Sequence, residues 1–461
     1  MITGFCTHAR HRRAWRVVAA APLALVLCSA TLAEAGAGNI PCTRPFVFSG
    51  AAVNVVVLPY ESAPQLGASG GLGEQLAGLI QLEVLRSIAK YGSVGAVQMV
   101  GNATECQPDV VIAKLLGQAR GAAATVRKGH GLVVVWGRIY SDRGDVFVQT
   151  FSRLLRSGID DSFDLTVDGR HLSAQLSAHA FACAPRKVTV NDLRNFEEQF
   201  ARSTIVRATP DERASGTPLP ARPIPYWISD TKEGWMKIDA REEGARGWIR
   251  LSGPRDSWSL VRWLPELTYV EGMVGYLRAR IAAQQSTPVR DAWIEDATRA
   301  LVEYERSLAP QPASAGGPAV APWRTTLAEA VQVQMRGILA VTKPQATTED
   351  RVAAMRLFDR AATVVPHDAN ARNLALVMRL SLAFESKQSG ISPTQTADDL
   401  FQALGSDPGN PRLLANLTSA YEALLARSSA ATPFMTEAER RVVDERLTAI
   451  KQIRAVKPRP R

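Results

Sequence analysis

The chain has 461 residues, of which 46% are hydrophobic and 7% aromatic. That is enough apolar material for about two to four packed domains, and it excludes a disordered or fibrous chain. Lys and Arg number 54 against 44 Asp and Glu, a net charge of +10. The bases are scattered, with no run of about five or six like charges, so no nucleic-acid footprint is present.

The first segment holds Arg10, Arg12, Arg13 and Arg16 and no acidic residue. An apolar run over 17–33 follows and ends in Ala33-Glu34-Ala35-Gly36, an A-x-A cleavage pattern. This order predicts a secretory signal peptide over 1–35. The run is shorter than the roughly 20 residues of a membrane span. Two other readings are an uncleaved anchor helix and a lipid anchor on Cys28. The latter lacks a small residue in the preceding Leu25-Val26-Leu27. No later segment has about 18 apolar residues in a row. The mature chain is therefore expected to be exported, periplasmic or envelope-associated, and without a transmembrane segment.

Cys42, Cys106 and Cys183 survive cleavage, and no C-x-x-C occurs, so neither a zinc site nor a thioredoxin-type motif is indicated. An oxidising compartment favours one disulfide with one thiol left over. Cys42 and Cys183 flank the first domain, and that pair is preferred to those using Cys106.

In chain order, AVNVVVLP at 52–59 is a buried strand bounded by Pro. Residues 74–91 place Leu76, Leu79, Ile80, Leu82, Leu85 and Ile88 at helical spacing. Residues 109–116 read as strand or helix. LVVVWGRIY at 132–140 and VFVQTFSRLL at 146–155, joined by Ser141-Asp142-Arg143-Gly144-Asp145, predict a β-hairpin. A helix over about 172–182 completes an α/β unit. The strand ending in Leu58-Pro59, the Leu-rich helix from Gly73 to Ile88 and the paired strands at 134–139 and 145–154 resemble exported TolB amino-terminal-like and curli-secretion-like domains. That resemblance implies an α/β domain over 42–200 used for assembly contacts.

Residues 201–255 carry a more specific pattern. Ile205-Val206-Arg207-Ala208-Thr209-Pro210, then Gly234-Trp235-Met236-Lys237-Ile238, then Gly244-Ala245-Arg246-Gly247-Trp248-Ile249, resemble the successive motifs of a bacterial SH3-like (SH3b) domain. Short strands between regularly spaced turns agree with a small β-barrel. Pro218, Pro220, Pro223 and Pro225 crowd the second strand and depart from the family pattern. The ligand groove implied by the resemblance uses Tyr226, Trp227, Trp235 and Trp248. For Trp235 and Trp248, core packing is the competing assignment.

Residues 260–308 form a helical connector containing Gly272 and Gly275, and APQPASAGGPAVAP at 309–322 is a linker. Beyond it, Ala354, Phe358, Ala361 and Pro366 fall at the second-helix spacing of a tetratricopeptide (TPR) repeat, and Ala397 and Phe401 repeat its first step. Residues 323–455 thus resemble TPR-like repeats, with a generic α-helical bundle as the alternative. The fold class expected overall is multidomain α+β: an α/β domain, an SH3-like barrel and an all-α helical domain.

Catalytic chemistry finds little support. The glycine stretch 67–73 looks like a short-chain dehydrogenase loop, but it does not directly follow a strand, and no Tyr is followed four positions later by Lys. His171 and His179 are too far apart for a one-face metal pair, and H-E-x-x-H and G-x-S-x-G are missing. His130 could serve Cys106 as a base only if the fold joined them. Asp160, Asp161, Asp164 and Asp168 suggest a solvated loop or a weak divalent-ion site. No cofactor, metal or catalytic residue is therefore assigned. The expected function is a non-enzymatic envelope adaptor. It would bind a protein through its helical repeats and a peptide or peptidoglycan through the SH3-like domain. A cell-wall hydrolase targeted by that domain is the alternative.

Overall fold

The computed structural model describes residues 40–63, 72–119, 123–158, 162–177, 181–189, 205–218, 226–240, 246–250, 264–308, 322–385, 390–428 and 435–455. The expected signal peptide and nearly all of the linker lie outside them. The protein is a mixed α/β molecule with a helical C-terminal region.

The centre is β2 (Val53–Ser62), whose Val-rich sequence is buried on both faces. Such a strand needs covered neighbours on both sides. It has them in β3 (Val94–Val100) and β4 (Gly131–Asp142), each parallel to it. Two helices make the crossovers. α1 (Leu72–Ile88) covers the face bearing Val53, Val55 and Val57, and α2 (Pro108–Leu115) covers the face bearing Val56 and Leu58. Residues 109–116, left open by the sequence, are thus helical up to Leu115. β5 (Asp145–Arg156) returns antiparallel to β4 through Arg143 and Gly144 at φ 51° and 86°. Two successive positive φ values are the signature of the turn that matches strand twist. Short strands β8 (Phe181–Ala182) and β9 (Arg186–Val188) pair with β5, and β1 (Ile40–Pro41) runs parallel to β3.

The disulfide differs from the expected one. Cys42 is bonded to Cys106, with 5.1 Å between their Cα atoms, and Cys183 is a buried free thiol. The sheet is the reason. β1 lies beside β3, so the residues that follow each strand meet on the α2 face, whereas Cys183 sits in the core of the α1 face.

Five further strands extend the sheet: β10 (Ile205–Arg207), β11 (Gly216–Pro218), β12 (Tyr226–Lys232), β13 (Trp235–Ala240) and β14 (Gly247–Arg250). They run antiparallel in the order β11-β10-β14-β13-β12. The joint to β3 is two residue pairs long, Tyr226 with Ala96 and Trp227 with Gly95.

Helix α3 (Glu266–Gln284) lies against α1 on the same face of the central sheet, where Leu277 packs on Gly131. The stretch read as a connector therefore supplies part of the layer over β2 and β4. α4 (Asp291–Leu308) pairs with α3 through Ala297 and Leu301. Three more helix pairs follow: α5 (Pro322–Thr342) with α6 (Thr348–Val364), α7 (Ala369–Glu385) with α8 (Pro393–Ser406), and α9 (Pro411–Ser428) with α10 (Glu437–Ala455). Capping fixes their starts. Thr347 and Asp350 close a capping box on α6, and Ser392 caps α8 ahead of Pro393. Ala354, Phe358 and Ala361 are fully buried in α6. In α8, by contrast, Leu400 is the buried residue and Phe401 is 38% exposed. The inner face of α8 runs through Ala397, Leu400, Ala403 and Leu404, which leaves Phe401 outside, beneath the Arg446 guanidinium.

The last element is a separate hairpin of β6 (Ser162–Val167) and β7 (Arg170–Gln175), turned at Asp168-Gly169. The helix expected over 172–182 is thus strand at its start. Within β7, Leu172 and Ala174 are buried in alternation with exposed or half-buried neighbours, a period of two that the helix-forming residue types conceal.

Candidate functional site

β7 lies on α7 and α9, and β8 meets α5. These three helices are the first members of the three C-terminal pairs, and each carries an amide side chain toward the docked segment. Asn416 of α9 accepts from the Ser173 N–H at 2.7 Å and donates to the Ser173 carbonyl at 2.7 Å. Asn373 of α7 donates to the same carbonyl at 3.0 Å, and Asn416 donates to Asn373 Oδ1 at 2.8 Å. Gln334 of α5 accepts from both the N–H and the hydroxyl of Ser177 at 3.1 Å. All three amides are buried.

The chemistry is that of a strand partner. β7 pairs with β6 on one edge, and its other edge must also satisfy its backbone groups when buried. A carboxamide offers one acceptor and two donors, so Asn416 answers both backbone groups of Ser173 as a neighbouring peptide would. Such contacts read backbone and not side chain. Around them, Phe163 stacks on Phe358 at 6.3 Å between centroids. At the rim Arg170 pairs with Glu422 at 2.5 Å, and Arg427 pairs with both oxygens of Asp168 while its guanidinium lies over Phe384.

The residues expected to form a ligand groove, Tyr226, Trp227, Trp235 and Trp248, fall on β12, β13 and β14. Trp235 is buried and Trp248 half-buried. Lys237 is the cross-strand partner of Trp248, which puts Trp235 and Trp248 on one face of the sheet as diagonal neighbours. The backbones of Tyr226 and Trp227 form the joint to β3, and their side chains lie outside the described residues.

Cys106 is consumed by the disulfide, so it is not the thiol partner of His130. The His130 ring bonds the Ala51 carbonyl through Nδ1 at 2.7 Å, and burial lowers its pKa below the ordinary histidine value. Of the acidic cluster, Asp160 and Asp161 lie outside the described residues, Asp164 is exposed and Asp168 holds Arg427. Among the described residues no group of three or more His, Cys, Asp or Glu could hold a metal ion. No helix among them is long and apolar enough to cross a membrane. The glycine stretch falls outside them up to residue 71.

A second buried polar group lies under α3. Tyr60 and Thr150 share a hydroxyl hydrogen bond at 3.0 Å, Thr150 donates to Glu266 at 3.0 Å, and Arg186 approaches the other Glu266 oxygen at 3.7 Å. Burial raises Glu266 to about 7, with Arg186 opposing. Burial also pushes the Cys183 thiol up, so it is protonated and unreactive as a nucleophile. This network ties the start of α3 to the sheet.

Gln334, Asn373 and Asn416 were not singled out from sequence. Their signal is an amide among the apolar positions of an amphipathic helix, as Asn416 is between Leu413 and Leu417. No family model, curated protein or solved structure matches this chain.

Proposed function

We propose that this protein is a non-enzymatic adaptor of the cell envelope whose helical region binds an extended strand by its backbone. The observation that carries the reading is the set of buried amides from successive helix pairs, Gln334, Asn373 and Asn416, spent on the backbone of residues 173–177. In this chain the groove holds the protein's own β7. A partner would engage it by offering an extended segment in exchange, a form of strand recognition in which main-chain bonds supply affinity.

The finer family resemblances belong to the same proposal. A TPR-like reading of the helices is supported by the burial of Ala354, Phe358 and Ala361 at one helix–helix contact. An SH3-like reading of 201–255 is supported by the strand order and by Gly234 and Gly247, both at positive φ immediately before Trp235 and Trp248. A TolB- or curli-secretion-like reading of the first region is supported by the β2-α1-β3 unit and the β4–β5 hairpin. Export rests on the N-terminal sequence pattern, and peptidoglycan or a peptide remains the proposed ligand of the SH3-like region.

The test replaces residues 162–177 with a Gly-Ser linker and offers the same sixteen-residue span as a synthetic peptide in trans. Titration by fluorescence anisotropy should show saturable binding that is lost when Asn373 and Asn416 are both changed to Ala. A replaced chain that folds by circular dichroism and binds no peptide would sink the strand-groove reading. Release of soluble muropeptides from peptidoglycan by the intact protein would sink the adaptor reading.

A further inference from the structure

The end of the central sheet opposite the turn of the β4–β5 hairpin gathers cations from four places in the chain. β2, β3 and β4 all begin there, with Val53 level with Val94 and Gly131, and β5 ends there, with Arg156 opposite Gly131. Arg127 and Lys128 are exposed on the loop entering β4, next to His130. Arg156 donates to the Gly129 carbonyl at 3.1 Å. Arg278 reaches across from α3 to donate to the Tyr91 and Gly92 carbonyls at 3.2 and 2.9 Å. Arg290, just before α4, shares the Trp293 ring with it, the two guanidinium carbons lying 5.3 and 4.8 Å from the centroid.

Four of these charges have no carboxylate partner among the described residues. None of Arg127, Lys128, Arg278 and Arg290 is in an ion pair among the described residues, Asp291 beside Arg290 included. The nearby acids are engaged elsewhere: Glu271 and Asp296 hold Lys90, and Asp109 holds Arg153. Residues 277–290 and 123–132 contain no Asp or Glu. The repulsion registers on two of the groups. Arg278 is brought down to about 10, by burial first and then by Arg290. After burial, Arg127, Arg278 and Arg156 lower His130 further against the rise from its Ala51 bond. Elsewhere arginines such as Arg360, Arg427 and Arg446 sit on carboxylates. Like charges brought together and left without counter-charge are destabilising unless something outside the chain answers them.

We propose that this end of the sheet binds a phosphoryl anion, with Arg127, Lys128, Arg278 and Arg290 as its charge partners. Guanidinium forks match the oxygens of a phosphoryl group in pairs, and several of them suit a multiply charged anion better than a single carboxylate. The source is either a phospholipid headgroup or a soluble phosphate, and the surface is independent of the strand-binding groove.

The test uses the full chain without its signal segment and two probes: pyrophosphate by calorimetry, and flotation with vesicles of phosphatidylglycerol and phosphatidylcholine against phosphatidylcholine alone. Binding at low salt should weaken about tenfold in an Arg127→Gln/Arg290→Gln variant, both positions being exposed, with an unchanged melting temperature. Arg213→Gln/Arg441→Gln, an equal loss of charge at exposed positions outside the patch, should leave binding intact. The His130 titration followed by NMR should move to higher pH with pyrophosphate bound. Capture by the anionic vesicles alone assigns the headgroup as source, and binding of pyrophosphate as well assigns the phosphate group itself. Binding of neither probe, or equal weakening in both double variants, overturns the proposal.

Discussion

Two β elements are appended to the central sheet, and they are held in opposite ways. The β10–β14 unit joins β3 edge to edge through two residue pairs and keeps its own ladder. Among the described residues the β6–β7 hairpin shares no strand pairing with the sheet, yet it is fastened into the helical region by buried amides, an aromatic pair and ion pairs at the rim. A ladder joint asks only for a free edge and is indifferent to side chains. A side-chain clamp demands particular residues at particular turns of several helices. The first kind of joint ties two units that are each internally bonded; the second makes the hairpin and the helices one unit.

The sharpest way to break that distinction is Phe358→Ala. The ring is fully buried between Gly337 of its partner helix and Phe163 of the hairpin, so its loss should cost about 4 kcal/mol in chemical denaturation. Protection of 162–175 in hydrogen exchange should fall with that of α6. Trp235→Ala, at about 3 kcal/mol, should act locally. Exchange should rise over 226–250 while β2 and β4 stay protected; loss of protection in β2 would show that the short ladder joint couples the units after all.

Changing Asn373 and Asn416 together to Ala leaves the backbone groups of Ser173 buried without partners, which should cost about 2–3 kcal/mol. Both to Asp should be worse, because a carboxylate cannot donate to a carbonyl. Glu266 gives an effect of similar size that depends on pH. Its folded value of about 7 lies above the ordinary 4.5, so the unfolded chain releases its proton first. Its contribution is therefore whole below about pH 4.5 and is lost as the pH rises through 7. A full pH unit is worth about 1.4 kcal/mol, and the folded value already includes the opposing Arg186, so about 3 kcal/mol is lost between pH 4.5 and 8. Glu266→Gln should flatten that part of the stability profile; an unaltered slope would mean the carboxyl is ionised throughout. Phe401→Ala, on the outside of α8, should change stability by less than about 0.5 kcal/mol.

The elements with one dominant signal were legible in the sequence. β2, β4 and β5 announce themselves by β-branched runs, and α1 by its leucine spacing, since these patterns are what a two-sided or one-sided core requires. What was hidden depended on distant chain. β7 is built of helix-forming residues and becomes strand because Asn373 and Asn416 receive its edge. Phe401 copies the spacing of Phe358 but falls on the wrong side of a helix whose inner face is set by Leu400 and Leu404. The cysteine pairing turns on which face of the sheet each strand exit reaches, information that residue spacing does not carry. The clamp itself was missed because a lone Asn in an amphipathic helix reads as a polar exception until the strand it serves is in place.

The packing of α3 over Gly131 sets an order of events during synthesis. All of β2, β3, β4 and β5 are made before residue 160, but α1 alone covers their face until residues 266–284 complete the layer, and the amides for β7 wait for residues 334–416. Contacts this far apart in sequence form late and slowly. A nascent chain therefore carries a half-covered sheet with an open apolar face while some hundred further residues are added, the stage at which sheet proteins associate wrongly. A chain cut after residue 258 would keep every strand and be frozen at that stage, so its fate should be aggregation and not an independently folded N-terminal half.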